Sequence, residues 1–290
     1  MKYAYYPGCS LHSTASEYDI SFRAVCKKLG IELSEMPKWI CCGTTPAHST
    51  SRLLAVSLPV KNMIIAERMN VNEIIIPCAS CFSRFKFAQY EIEEDPNLLY
   101  EVTKVIGEHF SNKVRIVHPL EVMLNKIGVE KIKSLITKDI SGMKIACYYG
   151  CLLTRPPEVT KFDDCEYPMT MDQVLKAAGG QTIDWSYKTE CCGAAFSLTI
   201  TEMVIRLTRK ILQDAKEHGA DAVAVACPLC HSNLDMRQSD IEKKYNISLK
   251  LPIFFFTQLL GLAFGLAPED LALHKHLVSP MELLAKNSFK

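Results

Sequence analysis

The pair Cys41-Cys42, followed by Gly43, recurs in the second half of the chain as Cys191-Cys192-Gly193. Each pair lies about midway through a set of five cysteines. A single cysteine precedes the pair by 31 or 39 residues, and a C-x-x-C follows it after 35 or 34 residues. The recurring order predicts two similar domains, 1–142 and 143–290, joined near Ser141-Gly142. The first set is Cys9, Cys41, Cys42, Cys78 and Cys81, and the second is Cys151, Cys191, Cys192, Cys227 and Cys230.

Composition limits the class of protein. The 290 residues are 48% hydrophobic, enough for one large core or two smaller ones, and the duplication favours two. A formal net charge of +1 provides no general attraction to nucleic acid or to an anionic membrane. The first residues contain no apolar export segment, which predicts a cytoplasmic protein. The apolar run 251–267 contains proline and glycines and is shorter than the roughly 20 residues of a spanning helix, so a buried strand and helix are expected.

Thirteen cysteines raise the question of disulfide bonds. Dense disulfide frameworks belong to small secreted domains, whereas this chain is large and well supplied with core residues. Metal or redox chemistry is therefore the better interpretation of the cysteines.

Short apolar runs alternate with helical patterns in both halves, which predicts an α/β fold of two pseudo-symmetric domains, each a small, mostly parallel sheet flanked by helices. A helix over 16–29 should end at Gly30, and another, capped by Ser49 or Ser51, should be kinked or divided at Pro59. Every motif cysteine lies at or just after the end of a predicted strand. Because ligands gather at the carboxyl ends of parallel strands, each set of five should converge. The predicted strands are 2–6, 31–36, 73–77, 114–118, 144–149, 181–185, 221–226 and 251–256.

Five thiols exceed the needs of the common metal sites, because a structural zinc takes four ligands and a cubane iron-sulfur cluster takes one thiolate per iron. The fifth thiol could be inert, act as a nucleophile, or bridge two irons of a cluster that is not a cubane. Adjacent cysteines diverge on an extended backbone, so they suit two irons of one cluster better than a single ion. Glycines at 43 and 193 suit a backbone that approaches a bulky ligand or takes positive φ.

These motifs resemble the cysteine-rich CCG domain family, and nearly the whole chain resembles the B subunit of heterodisulfide reductase. The resemblance implies a noncubane 4Fe-4S cluster on each of the two cysteine sets, with zinc in one half as an alternative. The matching segments are Tyr5-Tyr6-Pro7-Gly8-Cys9, Cys41-Cys42-Gly43, Pro77-Cys78-Ala79-Ser80-Cys81, Tyr148-Tyr149-Gly150-Cys151, Cys191-Cys192-Gly193 and Cys227-Pro228-Leu229-Cys230-His231.

The resemblance also implies a disulfide oxidoreductase, the catalytic component of a larger complex. Two clusters facing one cleft would reduce a disulfide in two one-electron steps, with electrons arriving from a flavin-containing A subunit through an iron-sulfur C subunit. The substrate would be the small-molecule disulfide of coenzyme M and coenzyme B or a related sulfur compound. Methanogen members have a histidine after the lone second-half cysteine, where this chain has Leu152.

Other residues near the motifs are candidates for catalysis. His12, His48 and His231 each lie a few residues from a motif cysteine and could supply protons, although each could equally face water or hydrogen-bond a cluster sulfur. Four arginines near the motifs could bind an anionic substrate, and a solvated surface role is the alternative for each. They are Arg52, Arg84, Arg155 and Arg206.

The three remaining cysteines are not expected to be ligands. Cys26 lies on the apolar face of a helix, Cys147 lies inside a strand, and Cys165 lies in an acidic loop.

Two other functions remain open: an electron-relay protein without catalysis, and a structural zinc protein. An open cavity between the two cysteine sets would favour catalysis over relay, and iron and sulfide analysis would separate either from zinc.

Overall fold

The computed structural model describes residues 1–44 and 46–287. In this part of the chain, eight short strands form two four-stranded parallel sheets, with the orders β2-β1-β3-β4 and β6-β5-β7-β8. One sheet lies in each half of the chain, and helices flank both, so the predicted fold class is confirmed. The strands are β1 (Lys2–Tyr5), β2 (Glu32–Glu35), β3 (Glu73–Ile75), β4 (Arg115–Val117), β5 (Lys144–Tyr148), β6 (Gln181–Thr182), β7 (Ala222–Val225) and β8 (Ile253–Phe255).

Helices connect the strands of the first sheet and follow its last strand. They are α1 (Gly8–Leu11), α2 (Ser16–Leu29), α3 (Pro46–Thr50), α4 (Arg52–Arg68), α5 (Ala79–Glu94), α6 (Pro96–Ile106), α7 (Pro119–Val122) and α8 (Val129–Ser134), with a π-helical turn at Met123–Ile127.

The second half repeats this plan with its own helices. They are α9 (Pro157–Thr160), α10 (Thr170–Ala177), α11 (Thr201–Glu217), α12 (Pro228–Met236), α13 (Gln238–Tyr245), α14 (Phe256–Ala263) and α15 (Met281–Lys286), with short 3-10 turns at Ala194–Phe196, Glu269–Leu271 and Leu273–Lys275.

The local signals at two helix ends act as the sequence predicts. Helix α2 ends at Gly30, whose φ of 72° lies in the left-handed region that glycine adopts without strain. The side chain of Ser51 caps α4 by accepting a hydrogen bond from the backbone N–H of Leu54. Pro59 does not divide α4, which continues as one helix from Arg52 to Arg68.

The buried side chains of the two halves form one continuous apolar core instead of two separate ones. Helix α14 packs on α2, and α7, the π-helical turn and α8 pack on α10. Each half therefore covers a helix of the other half. Helices of each half pack on helices of the other half across residue 142. The domain boundary at this residue stays a prediction.

Tyr18 lies in this shared core. Its ring stacks on Phe255 with the centroids 4.1 Å apart, and its hydroxyl donates a 3.1 Å hydrogen bond to the Pro77 carbonyl. The Ala226 carbonyl lies 3.5 Å from the same hydroxyl. Pro77 and Ala226 directly precede the two C-x-x-C motifs, so this one side chain ties together the two strand ends that deliver them.

Across the residues that the structure describes, no helix is both long enough and apolar enough to cross a bilayer. The apolar run near residue 251 forms β8 and α14, as the sequence predicts.

Candidate functional site

The motif cysteines lie at the carboxyl edges of the two sheets. Cys9 and Cys151 follow the first strand of each half, the adjacent pairs lie in the loops after β2 and β6, and each C-x-x-C begins the helix after β3 or β7. Cys78 and Cys227 occupy the positions just before α5 and α12. Because parallel strands deliver their carboxyl ends to one edge, thiols distant in sequence become neighbours.

Within each half the thiols approach one another closely. The Sγ atoms of Cys42 and Cys81 are 3.2 Å apart, and those of Cys192 and Cys230 are 3.6 Å apart. Cys9 hydrogen-bonds Cys41 in the first half, and Cys151 hydrogen-bonds Cys191 in the second. Each set thus joins thiols from three different loops.

Two glycines make this approach possible. Gly8 and Gly150 both have a φ of 69°. A Cβ atom at Gly8 would lie 3.2 Å from the Sγ of Cys81, and one at Gly150 would lie 3.1 Å from the Sγ of Cys230. A side chain at either position would strain the backbone and crowd a motif thiol, so glycine is required for the loop to pass beside the site.

The glycines of the Cys-Cys-Gly motifs donate hydrogen bonds to a motif sulfur. Gly43 and Gly193 also have positive φ, 75° and 77°, and their N–H groups point back at the first cysteine of each pair. The N–H of Gly43 donates to the Sγ of Cys41 at 3.4 Å, and that of Gly193 donates to the Sγ of Cys191 at 3.3 Å. An N–H aimed at sulfur stabilises the thiolate form, which is the form that binds iron.

The hydrogen bonds also set where negative charge is favoured. The pKa of Cys41 is lowered by hydrogen bonds from Cys42 and Cys9, and the pKa of Cys191 is lowered by a hydrogen bond from Cys151 and by the N–H of Gly193. In both halves, hydrogen bonds therefore favour the thiolate form of the first cysteine of the pair. The lone cysteines, Cys9 and Cys151, act as donors, and their pKa values are raised.

The two sets meet at one point. The thiols of Cys78 and Cys227 hydrogen-bond one another, which raises the pKa of Cys78, while hydrogen bonds from Cys230 and Cys78 lower the pKa of Cys227. Ser80 lies beside this contact, with its Oγ 3.9 Å from the Sγ of Cys227. The pair links the N-terminal and C-terminal cysteine sets directly.

A cavity of about 220 Å³ opens beside this contact. Residues of both halves line it, including all five cysteines of the second set. The first half contributes Thr44, His48, Ala79, Ser80 and Arg84. The cavity therefore lies at the second cysteine set, and the described residues that line it include no cysteine of the first set.

The candidates predicted for catalysis are His12, His48, His231 and Arg155, and the structure places them in different surroundings. His48, on α3, is exposed and lines the cavity. His12 contacts Glu35, with 3.1 Å between Nε2 and Oε1, and packs against Trp39 away from the cavity lining. Arg155 is held by the Cys165 carbonyl, Glu166 and Thr189.

The fourth candidate, His231, is buried. Its Nε2 lies 2.9 Å from the Ile253 carbonyl, and its ring stacks on Phe255 at 4.3 Å. Burial lowers the pKa of His231 to about 3, so the ring is neutral at physiological pH. This environment fits a packed core residue better than a proton donor.

Sequence reasoning missed a pair of buried tyrosines. The hydroxyl of Tyr6 donates to the Ile40 carbonyl at 2.8 Å, and the hydroxyl of Tyr148 donates to the Glu190 carbonyl at 2.6 Å. Ile40 and Glu190 directly precede the two Cys-Cys pairs. The sequence does contain a signal for these tyrosines, because a tyrosine stands two residues before Gly8 and before Gly150 in the repeated motif.

A second missed residue is Asn233, three positions after Cys230. Its amide nitrogen donates to the Cys192 carbonyl at 3.1 Å and lies 3.7 Å from the Sγ of Cys192. The amide oxygen accepts a 2.6 Å hydrogen bond from Ser197. This side chain fixes the second Cys-Cys loop onto α12.

The three remaining cysteines lie outside these contacts. Cys26 and Cys147 are buried, and Cys147 lies within β5, as the sequence predicts. Cys165 is half-buried, with its Sγ 3.9 Å from Glu166. Among the described residues, no three histidine, cysteine or acidic side chains are arranged around a single metal ion.

This chain combines an α/β fold with two thiol-rich sites at the carboxyl edges of its sheets. These two features define the class of cysteine-rich domain proteins. The sequence profile of the CCG cysteine-rich domain matches residues 3–86 and 145–235. The chain therefore belongs to the CCG cysteine-rich domain family, and both halves carry the domain.

Relatives match over nearly the whole chain. The membrane anchor subunit of the 8-methylmenaquinol:fumarate reductase of Wolinella succinogenes is 28% identical, covering 97% of this chain and 99% of that protein. The B subunit of the ferredoxin:CoB-CoM heterodisulfide reductase of Methanosarcina mazei is 27% identical, covering 98% of this chain and 96% of that protein. A protein of Archaeoglobus profundus, named as similar to the heterodisulfide reductase B subunit, is 26% identical over 94% of this chain and 93% of its own length. The chain is thus similar over nearly its whole length to the B subunit of heterodisulfide reductase and to a subunit of a quinol:fumarate reductase.

A solved structure supports the fold alone. A hypothetical protein from Helicobacter pylori superposes with a TM-score of 0.75 at 12% sequence identity. The match covers 96% of this chain and 52% of the other, so this chain spans about half the length of that protein.

Proposed function

We propose that this chain is the catalytic component of a heterodisulfide-reductase-type complex and that it reduces a disulfide. One observation carries the proposal: the two five-cysteine sets meet at Cys78 and Cys227 beside a cavity that residues of both halves line. Thr44, His48 and Arg84 of the first half line the cavity together with the second cysteine set, so a substrate that reached this set would contact both halves. The full-length similarity to proteins named as B subunits of heterodisulfide reductase supports the same conclusion.

Each cysteine set would hold one noncubane 4Fe-4S cluster. The donor chemistry fits, because five sulfur atoms per set exceed what a tetrahedral ion can use. The local structure also fits, since Gly8 and Gly150 keep the space beside the motif thiols clear, and Gly43 and Gly193 direct N–H groups at sulfur. Zinc in one half is the alternative, and it predicts a lower iron content.

The reaction needs two electrons and two protons to convert one disulfide into two thiols. When bound, each cluster would supply one electron at a time. We assign proton delivery to His48, because it lines the cavity and histidine exchanges protons near neutral pH. His12, Arg155 and buried His231 would hold neighbouring loops in place.

The electrons would come from partner proteins, as the family resemblance implies. An iron-sulfur C subunit would deliver them from a flavin-containing A subunit, in a complex located in the cytoplasm. Cys9, Cys41 and Cys191 are exposed, so the loops of both sites reach the protein surface, where such a partner could approach. The substrate would be the coenzyme M–coenzyme B heterodisulfide or a related small disulfide.

The deciding experiment is anaerobic purification with the partner proteins, followed by iron and sulfide counting and assays on a panel of disulfides. Two four-iron clusters and turnover of at least one disulfide are the expected result. Clusters present without turnover of any disulfide would contradict the catalytic assignment. Zinc in place of iron would contradict the cluster assignment.

A second function is favoured by the relative from Wolinella succinogenes, which is part of a quinol:fumarate reductase and has almost the same length as this chain. In that case the clusters would exchange electrons with a quinone and not with a disulfide. Menaquinone analogues belong in the same assay panel. Oxidation of the reduced clusters by quinone, with no reaction toward any disulfide, would favour this alternative.

A further inference from the structure

Two buried side chains of the first half converge on the backbone just before the two C-x-x-C motifs. The Tyr18 hydroxyl donates to the Pro77 carbonyl at 3.1 Å and lies 3.5 Å from the Ala226 carbonyl. The Nε2 atom of His118 lies 3.0 Å from the same Pro77 carbonyl, and its ring also interacts with the Ala226 carbonyl. Tyr18 and His118 are both completely buried. One pair of donors thus serves two carbonyls, one from each half.

The surroundings of His118 fix its ring as a donor at Nε2. The Nδ1 atom accepts a 3.3 Å hydrogen bond from the backbone N–H of Leu120, so the ring hydrogen is on Nε2. Burial lowers the pKa of His118 to about 4, which keeps the ring neutral at physiological pH. Edge-to-face contacts with Phe82 and Phe162, at centroid distances of 5.8 and 5.6 Å, hold the ring in this orientation.

The second half of the chain holds the ring of Tyr18. This residue belongs to α2 of the first half, but its ring stacks on Phe255 of the second half, with the planes 8° from parallel. Phe255 stacks in turn on His231, which directly follows Cys230, at 4.3 Å. The position of the Tyr18 hydroxyl therefore depends on the packing of the two halves against each other.

The duplicated plan supplies a histidine donor on one side only. His118 directly follows β4, and the equivalent residue after β8 is Phe256, a buried side chain that cannot donate a hydrogen bond. Phe256 instead packs edge-on against Tyr18, with the ring centroids 6.2 Å apart. The two halves share this pair of donors, so the loss of either donor should act on both cysteine sets.

The two carbonyls adjoin the thiols that link the two sets. Cys78 follows Pro77, Cys227 follows Ala226, and the two thiols hydrogen-bond one another. Each carbonyl and the nitrogen of the following cysteine belong to one planar peptide group. A donor that fixes the carbonyl therefore fixes the backbone from which the thiol extends, as the outer partners of metal ligands commonly do.

We propose that Tyr18 and His118 are positioning residues that hold Cys78 against Cys227 and thereby fix the separation of the two cysteine sites. A fixed separation matters because two sites that each pass one electron must act on the same disulfide bond. That consequence rests on the proposed function, whereas the positioning of the two thiols does not.

The first test compares tyrosine variants of the cluster-loaded complex, with electron paramagnetic resonance to distinguish the two sites. Tyr18→Phe should speed iron release to a chelator about tenfold at both sites and shift the midpoint potentials of both clusters. Tyr6→Phe is the single-site reference, since its hydroxyl bonds a loop of the first set. Tyr5→Phe is the matched control for stability, because this buried hydroxyl donates to Asp19, and it should leave both potentials unchanged.

Two substitutions at His118 separate positioning from packing. His118→Leu removes the donor and should reproduce the effect of Tyr18→Phe on both sites. His118→Gln keeps an N–H group at similar reach and should restore the wild-type potentials. Equal shifts in His118→Leu and His118→Gln would show that the residue acts through packing alone and would overturn its positioning role.

A measurement on the reduced, metal-free full-length chain separates this proposal from the proposed function. Diamide oxidises neighbouring thiols to disulfides, and mass spectrometry would give the yield of the Cys78–Cys227 link relative to the Cys192–Cys230 link. Tyr18→Phe should lower this ratio about fivefold, the equivalent of one lost hydrogen bond, and Tyr5→Phe should leave it unchanged.

The outcomes of the two measurements are distinct. A complex without iron would contradict the cluster assignment, and the ratio of the two links would then decide the positioning role by itself. Absence of the Cys78–Cys227 link from the wild type, an unchanged ratio in Tyr18→Phe, or faster iron release from only one site of that variant would overturn the proposal.

Discussion

The hydroxyl of Tyr148 donates a 2.6 Å hydrogen bond to the carbonyl of Glu190, the residue directly before the second Cys-Cys pair. Tyr6 makes the equivalent bond to Ile40 in the first half. Both rings are buried among the motif thiols, and burial raises the pKa of each hydroxyl, so each remains a donor at physiological pH. These bonds tie the loop of the lone cysteine to the loop of the adjacent pair.

Tyr148→Phe should therefore loosen the second site and leave the first unchanged. The lost bond should lower the free energy of unfolding by about 1 kcal/mol, because the part-buried hydrogen bond to the Glu190 carbonyl is no longer made. Anaerobic thermal unfolding and the rate of iron release to a chelator would measure the effect. Tyr6→Phe is the reciprocal control and should affect only the first site. Identical iron release from both variants and the wild type would contradict this role.

Replacing one motif cysteine should empty one site. Cys192→Ala should reduce iron per chain by about half, because the remaining thiols of its set no longer complete a cluster. Cys42→Ala should do the same in the first half, with a different electron paramagnetic resonance signal lost. Cys165→Ser is the control, since this thiol lies outside both sets, and it should keep full iron. Full iron in Cys192→Ala would contradict the proposed ligand set.

The buried ion pair of Lys188 and Asp172 should be important for stability. The two charged atoms are 3.0 Å apart, and both side chains are only 1% exposed. The Lys188 carbonyl also accepts hydrogen bonds from the N–H groups of Tyr149 and Gly150, next to Cys151. Lys188→Met would leave Asp172 charged and buried, at a cost of about 3–5 kcal/mol in the free energy of unfolding.

Chemical denaturation of the wild type and of the Lys188→Met variant would measure that loss. Lys133→Met is the matched control, because its partner Glu130 is exposed and surface pairs contribute little. A Lys188→Met variant as stable as this control would show that the buried pair is replaceable.

Stability should fall in mild acid because of His276. Burial lowers the pKa of His276 to about 4, and its Nε2 lies 2.9 Å from the Gln258 amide nitrogen, which is a donor. An unfolded chain takes up a proton near pH 6.5, whereas the folded ring resists it until about pH 4. The contribution of His276 is therefore complete above pH 6.5 and is lost as the pH falls from 6.5 toward 4, by up to roughly 3 kcal/mol.

His276→Gln should flatten this pH profile, measured as unfolding midpoints between pH 4 and 7. The ring centroid of His231 lies 5.0 Å from that of His276, and the pKa of His231 is also lowered, to about 3. Part of the acid sensitivity should therefore remain. The exposed His109→Gln variant should follow the wild-type profile. A profile for His276→Gln that overlays the wild type would exclude His276 as a source of acid sensitivity.

Local signals in the sequence predicted much of the fold. Gly30 ends α2 and Ser51 begins α4 because each residue acts within one helical turn. The strand ends carrying Cys9, Cys78 and Cys227 were also predictable, since short apolar runs bounded by proline or glycine reveal them.

Features that depend on distant contacts could not be predicted in this way. The sequence predicts β6 through Trp185, but the strand ends at Thr182. The indole N–H of Trp185 donates to the Cys147 carbonyl at 3.1 Å, so a side chain takes the place of a backbone partner there. The cavity, the position of Arg84 and the Cys78–Cys227 contact also depend on how the two halves pack, which no local pattern encodes.

The packing of α14 on α2, and of α7 and α8 on α10, has a consequence for the history of the chain. A half cut out at residue 142 would expose the apolar face of its own first long helix, so neither fragment should fold well alone. Two identical half-length chains could cover those faces for each other by the same exchange. Gene fusion would then have turned a symmetric dimer into one polypeptide, which left each copy free to diverge.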